Sequence, residues 1–234
     1  CHELVNKVRP MYARCSRECE AGGHGSRRRY RRAHEHCGAV ARFGHRPRVT
    51  TTKRDAMATI SDTLASRVAT RHGIVTRNEL VEDGFTTNSL RVLVGKGVLT
   101  RVHKGVFRMA TSPDTFEARC AAACLADPSA IITGTAAARL WEFRHVWRPD
   151  VPHVLVGHDR TPLTRGVVLR RSNCIAAEDL NERADGIRIA SPARSWFDCA
   201  RDVDDERFER LTEWVLDRHV GLAVLWRTTK RLEA

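Results

Sequence analysis

The sequence lacks several features that would assign it to common classes of protein. It has no run of about 20 apolar residues, the length that a helix needs to cross a bilayer. Its opening letters, CHELV, lack the charged and then apolar layout of a secretory signal. It has no Gly-rich phosphate loop, no HExxH pair and no Ser elbow. These absences predict a soluble cytoplasmic protein that is not an enzyme and does not contact membrane.

The formal net charge of +12 is unevenly distributed along the 234 residues. Residues 1–56 carry 14 Lys/Arg and 5 Asp/Glu (+9), and residues 57–110 carry 8 and 4 (+4). Residues 111–234 carry 18 and 19 (−1). Because a basic segment favours nucleic acid as a partner, the charge predicts that any nucleic-acid binding lies in the first half of the chain.

Residues 1–56 are rich in Arg, His, Gly and Cys and poor in apolar periodicity, which predicts disorder. Met57 directly precedes a credible helix, so we expect that residues 1–56 are upstream sequence and that Met57 is the native start. Two functional alternatives are weaker. The arginine run RRRYRR at 27–32 could bind nucleic acid. The possible zinc ligands fit no common finger spacing, and no metal or other cofactor is predicted; they are Cys15, Cys19, His34, His36 and Cys37.

Residues 57–110 show the order of a winged helix-turn-helix domain. The spacing of Ile60, Leu64 and Val68 predicts a helix, and Thr76 with Glu79 forms a capping-box pattern before a second, short helix. After the Asp-Gly turn at 83–84, a third helix is expected from Thr86 or Thr87, with Leu90, Leu93 and Val94 inward and Gly97 after its end. Residues 98–102 and 106–109 then alternate like the two strands of a hairpin.

In such a domain the third helix enters the major groove and the hairpin contacts the DNA backbone. Side chains at the start of this helix can contact bases, Lys96 at its end can meet the backbone, and the hairpin supplies further phosphate contacts. The predicted DNA-contacting residues are Thr87, Asn88, Ser89, Arg91, Lys96, Arg101, His103, Lys104 and Arg108. The alternative is a small domain of the same outline that binds protein, because polar residues on a helix are often only its solvated face.

Residues 111–234 predict an α+β domain. Helices are expected from residue 114 to about 126, over 133–143, after the Ser-Pro pair at 191–192 and around Phe208 to Leu216. Residues 152–156 and 166–170 indicate two strands joined by a polar turn. Arg194 and Asp198 are four apart and predict a structural ion pair. Cys120 and Cys124 have no further ligand nearby and are interpreted as buried core thiols.

Three stretches resemble the antitoxins of AbiEi-type toxin–antitoxin systems. The first holds Val75-Thr76-Arg77, Leu80 and GVLTRVHKGVF at 97–107; the others are TGTAAARLWEF at 133–143 and SPARSWFDCA at 191–200. Together they extend over essentially all of residues 57–234. Two departures from the family pattern are the missing Ser-His pair in the second stretch and Arg170-Arg171-Ser172 in place of His-Arg-Ser.

The resemblance implies a head that binds double-stranded DNA at its own promoter and represses its operon. It also implies a functional partner, a nucleotidyltransferase-like toxin, that is countered without a stable complex. Many relatives continue into an endonuclease-like domain, whereas this sequence stops at Ala234. The alternative hypothesis is therefore a truncated relative of such nuclease fusions that acts only as a protein-interaction module.

Overall fold

The computed structural model describes residues 4–8, 10, 60–158 and 165–233. Residues 4–8 and 10 are helical, and the side chains of Leu4, Val5 and Val8 are buried. They pack in the same apolar cluster as Trp196 and Leu225 near the other end of the chain. The expectation of disorder for residues 1–56 did not foresee this short helical stretch. The arginine run, the possible zinc ligands and Met57 lie outside the described residues.

The head, residues 60–110, contains three helices and three short strands. In chain order these are α1 (Asp62–Thr70), β1 (Ile74–Thr76), α2 (Arg77–Glu82), α3 (Thr87–Gly95), β2 (Leu99–His103) and β3 (Val106–Met109). Strand β1 was not predicted, because three residues are too few for a periodic pattern to be visible.

Local capping signals set the helix ends in the head. Thr76 and Glu79 form the predicted capping box at the start of α2, with Thr76 N–H donating to Glu79 Oε2 over 2.9 Å. Helix α1 ends before His72 and Gly73, both of which have positive φ. At Gly73 only glycine fits, because a Cβ there would overlap the side chain of Ser112. Gly97 after α3 has the predicted left-handed conformation, with φ of 72°.

The small sheet of the head is antiparallel with strand order β1-β3-β2, and both of its faces are covered. On one face Val75 and Phe107 pack with buried leucines of the three helices. On the other face Ile74 and Val106 pack against a helix of the remaining chain, α4 (Phe116–Ala126). A hydrogen-bonded contact between His72 Nε2 and Asp185 Oδ2, 3.0 Å apart, also joins the two parts.

The second region, residues 111–234, is a mixed sheet with helices against it. After α4 come β4 (Ile131–Ile132), α5 (Gly134–Leu140), β5 (His153–Val156), β6 (Val168–Arg171), a 3₁₀ turn (Ala177–Asp179), β7 (Leu180–Glu182), β8 (Arg188–Ala190), α6 (Pro192–Cys199), α7 (Asp205–Arg218) and α8 (Leu222–Glu233). The strand order is β6-β5-β4-β8-β7, with β4–β8 and β5–β6 parallel and the other two pairs antiparallel. The chain is thus α+β, as predicted.

One sequence-based expectation about this sheet is wrong. Strands β5 and β6 form as expected, but they pair in parallel, with His153 opposite Val168, whereas two strands joined by a tight turn pair antiparallel. Over the described ranges, no helix is both long and apolar enough to cross a membrane.

Candidate nucleic-acid interface

Helix α3 presents polar side chains from its first turn because two buried anchors hold that turn in place. Phe85 precedes the helix and Leu90 lies in its first half, and both are buried in the core of the head. The Thr86 hydroxyl accepts a hydrogen bond from Ser89 N–H over 3.1 Å and so caps the helix. Thr87 and Asn88 are consequently exposed at the helix start.

Two arginines are hydrogen-bonded to the exposed start of α3. Arg77 Nη2 donates to Thr87 Oγ1 over 2.9 Å, and Arg91 Nη2 donates to Asn88 Oδ1 over 2.7 Å. Ser89 is used differently: its hydroxyl donates to the Thr86 carbonyl over 2.8 Å and belongs to the cap. The side chains of Arg77, Thr87, Asn88 and Arg91 therefore form one exposed polar row. Ser89 does not contribute a donor to it, because its hydroxyl hydrogen is used in the cap.

This row borders a cleft between α3 and the sheet, which we name the helix cleft. Its volume is about 450 Å³, and it is lined by Arg77, Thr87, Asn88, Leu90, Arg91, Val94, Arg101 and Phe107. The Arg101 guanidinium lies 5.8 Å from the centroid of the Phe107 ring. Three arginines and no carboxylate line the cleft, so it attracts anions.

A second cleft lies at the junction of the head and the second region, and we name it the junction cleft. Its volume is about 250 Å³, and it is lined by Thr100, Arg101, Val102, His103, Arg108, Asp114, Arg119, Arg165 and Gly166. Strand pairing places Phe107, opposite Arg101, and Arg108, opposite Thr100, on different faces of the sheet. The Arg101 side chain borders both clefts.

The nine predicted contact residues therefore do not form one surface. Thr87, Asn88, Arg91 and Arg101 meet at the helix cleft. His103 and Arg108 line the junction cleft instead, where Arg108 Nη1 donates to the Ser112 carbonyl. Burial lowers the pKa of His103 below its usual range, which keeps its ring neutral near pH 7.

The two predicted lysines lie at the edges of the head. Lys96 is the exposed C-cap residue of α3, and Lys104 is exposed in the turn between β2 and β3. That turn is tied to α2, because Arg77 N–H donates to the Gly105 carbonyl over 2.7 Å. Arg77 was not predicted as a site residue. It belongs to the Val75-Thr76-Arg77 motif and is the exposed first residue of α2.

The charged residues buried in the second region form a structural network. Arg194 donates to Asp198 over 3.1 Å, as the four-residue spacing predicted, and also to Asp179 over 3.3 Å. Arg231 donates to the same Asp179 carboxylate. Every carboxylate in this set has an arginine partner, so the geometry ties α6 and α8 to the turn that precedes β7.

Three of the four cysteines of the second region are buried core thiols, as predicted, whereas Cys174 is only half-buried. Cys120 and Cys124 are buried and unpaired, and burial raises the pKa of both, that of Cys124 to about 11. Such thiols stay protonated and are poor metal ligands. No group of three or more metal-ligating side chains occurs in the part of the chain that the structure describes.

Comparison with known proteins gives a family match over part of the chain and a likeness to solved structures. Residues 62–110 match a family model described as a transcriptional regulator, AbiEi antitoxin. A structure titled as the crystal structure of the RV2827C protein from Mycobacterium tuberculosis is 21% identical, covers 75% of this chain and 78% of that one, and has a TM-score of 0.41. No curated protein matches the sequence. The resemblance predicted from the sequence is therefore confirmed over residues 62–110, the segment that matches this family model of transcriptional regulators.

Proposed function

We propose that this protein is a DNA-binding transcriptional autorepressor whose head is a winged helix-turn-helix domain. The observation that carries the proposal is the helix cleft, where Thr87, Asn88 and Arg91 at the start of α3 face the same space as Arg77 and Arg101. Hydroxyl, amide and guanidinium groups are the side chains that contact bases and phosphates.

In this proposal α3 is the recognition helix and lies in the major groove. Thr87, Asn88 and Arg91 face base edges. Arg77 and Arg101 flank the helix and hold the backbone, and the exposed Lys104 at the tip of the β2–β3 hairpin makes the outermost contact. Arg108 and His103 have no place in this part of the footprint, because they line the other cleft.

We propose that residues 57–110 are the DNA-binding domain and that residues 111–234 form a separate antitoxin-like domain with no catalytic role. The functional partner of that second domain is a nucleotidyltransferase-like toxin, countered without a stable complex. The support is the family of the head together with the quoted stretches at 133–143 and 191–200. The helical stretch at 4–8 packs with this second region and is included in it.

The test is a gel-shift titration of the full chain on the DNA upstream of its own gene, with an unrelated fragment of equal length as competitor. We expect selective binding that Arg91→Ala and Arg101→Ala both weaken. The control is Arg210→Ala, which removes an equal charge from an exposed position of α7 that lines neither cleft.

If the wild-type chain shows no selective binding at low salt, the regulator proposal is wrong. The head would then be assigned to protein contact, as in the truncated-relative hypothesis.

A further inference from the structure

The junction cleft has an excess of positive charge, of which the proposed recognition by α3 uses only that of Arg101. Arg101, Arg108, Arg119 and Arg165 line it with a single carboxylate, that of Asp114. Four cations against one anion leave a formal charge of +3 in a cleft of about 250 Å³. His103 adds no charge near pH 7 because its burial lowers its pKa.

Two of the four arginines, Arg108 and Arg119, are hydrogen-bonded to other groups of the protein. Arg119 donates to both oxygens of Asp114 at 3.1 Å and to the Asp150 carbonyl at 3.0 Å, so all three of its nitrogens are used. Arg108 donates one nitrogen to the Ser112 carbonyl. Their role is to hold the wall of the cleft and to keep the Asp114 carboxylate neutralised.

The other two arginines are available to a ligand. Among the residues that the structure describes, neither Arg101 nor Arg165 has a hydrogen-bond or ion-pair partner, and both are exposed. Arg101 lines the helix cleft as well, so the two clefts adjoin at its side chain. A strand that leaves the helix cleft past Arg101 therefore enters the cleft that Arg165 of the second region also lines.

We propose that the junction cleft binds a phosphate of the DNA backbone between Arg101 and Arg165, so that the second region contributes to the DNA footprint. This inference rests on the proposed function of the head. The volume is below the roughly 300–1,000 Å³ of pockets that enclose a small molecule, which favours a group on a larger ligand. Guanidinium groups bind phosphate oxygens with charge-assisted hydrogen bonds.

The test measures how affinity for the upstream DNA depends on salt, using the full-length wild-type protein, Arg165→Ala and Arg227→Ala. Arg227 is the matched control, because it is exposed on α8 and lines neither cleft. Loss of one phosphate contact reduces the slope of log affinity against log salt by about 0.9. We expect that reduction in Arg165→Ala with unchanged preference for the upstream sequence, and no reduction in Arg227→Ala.

The possible outcomes separate this inference from the proposed function. Selective wild-type binding with an unchanged slope in Arg165→Ala overturns the inference alone, whereas no selective binding by the wild type overturns both. Titration with ATP in the absence of DNA provides a further arm. Saturable ATP binding that Arg165→Ala abolishes, together with an unchanged DNA slope, would assign the cleft to a free nucleotide and overturn the DNA assignment.

Discussion

Arg91 and Asn88 are bound to each other at the start of α3, with the guanidinium donating to the amide oxygen over 2.7 Å. This contact uses one of the two lone pairs of Asn88 Oδ1 and does not involve the Asn88 NH₂ group or the other guanidinium nitrogens. The pair therefore presents more donors than acceptors. Guanine offers two acceptors, N7 and O6, in the major groove, whereas adenine needs an acceptor beside a donor. In the DNA complex proposed above, this excess of donors favours guanine as the base opposite Arg91.

The first prediction is that Arg91→Lys lowers selective DNA binding although it keeps the charge. Lysine cannot reproduce the planar fork that engages two base acceptors, so we expect a loss of about 1–3 kcal/mol, on the order of 10-fold or more. Binding to unrelated DNA should change little. The matched substitution Arg101→Lys, at a position proposed to contact phosphate, should leave selectivity within a few-fold. Equal losses in the two variants would contradict base contact by Arg91.

The second prediction concerns the capping box that starts α2. Thr76→Ala removes the hydroxyl that accepts from Glu79 N–H over 3.2 Å, and such caps are worth about 1 kcal/mol. We expect the free energy of unfolding to fall by about this amount in urea denaturation. Thr70→Ala is the control, because that exposed hydroxyl only donates to the Ser66 carbonyl within a helix. If Thr76→Ala lowers the free energy of unfolding no more than Thr70→Ala does, the stabilising role of the cap is contradicted.

The third prediction tests how the head depends on the second region. Ile74 lies in the apolar cluster that contains α4, so Ile74→Ala in the full chain should cost about 2–5 kcal/mol. The same substitution in residues 57–110 alone should cost much less, because the covering helix is absent. Leu80→Ala, within the core of the head, should cost the same in both forms. A cost for Ile74→Ala that does not depend on the second region would contradict the packing.

The fourth prediction concerns the buried charges of α6. Arg194→Met leaves the carboxylates of Asp179 and Asp198 without this partner, and removing one member of a buried pair costs about 3–5 kcal/mol. Arg210→Met breaks an exposed pair with Glu206 and should cost less than about 1 kcal/mol. Similar midpoints of urea denaturation for the two variants would show that the network does not stabilise the fold.

The fifth prediction is a loss of stability in mild acid that depends on His153. Burial, helped by the charge of Arg170 and opposed by that of Asp202, lowers the pKa of His153 to about 4 from 6.5. Between these pH values the unfolded chain binds a proton that the folded chain does not, so the free energy of unfolding falls as the pH falls through this window.

His153→Gln should make that pH profile flatter between pH 6.5 and 4. His103 and His219 are half-buried and also have lowered pKa values, so they contribute with the same sign in both proteins. The difference between wild type and variant therefore isolates His153. An identical slope in urea midpoint against pH would show that His153 does not titrate in this way.

Local signals made the head the most predictable part of the molecule. The capping box, the turn glycines and the left-handed Gly97 each act within a few residues, and the structure has all of them. Pairing over long distance was not predictable. Nothing near β5 and β6 distinguishes a parallel pair from a hairpin. Helix α8 was missed because Thr228 and Thr229 occupy its buried face beside Leu225.

The sequence did not predict that the candidate site residues are divided between two clefts. Strand alternation places Arg101 and Arg108 on opposite faces, but the sequence does not reveal that α4 covers the face of Arg108. The helical stretch near Leu4 was hidden for a different reason. Its three buried apolar residues belong to a long segment that is mostly basic and polar, so the composition of the whole segment predicted disorder and concealed this short apolar pattern.

The covered second face of the small sheet has a consequence for how this protein would search DNA. A reading domain on a flexible tether can rotate freely and tolerate variable spacing between its target sites. Here Ile74 and Val106 pack the sheet against α4, so the head and the second region move together as one unit. If two copies bind a repeated sequence, the size of the second region sets the distance between the repeats. Inserting a few base pairs between the repeats should then abolish binding of the second copy.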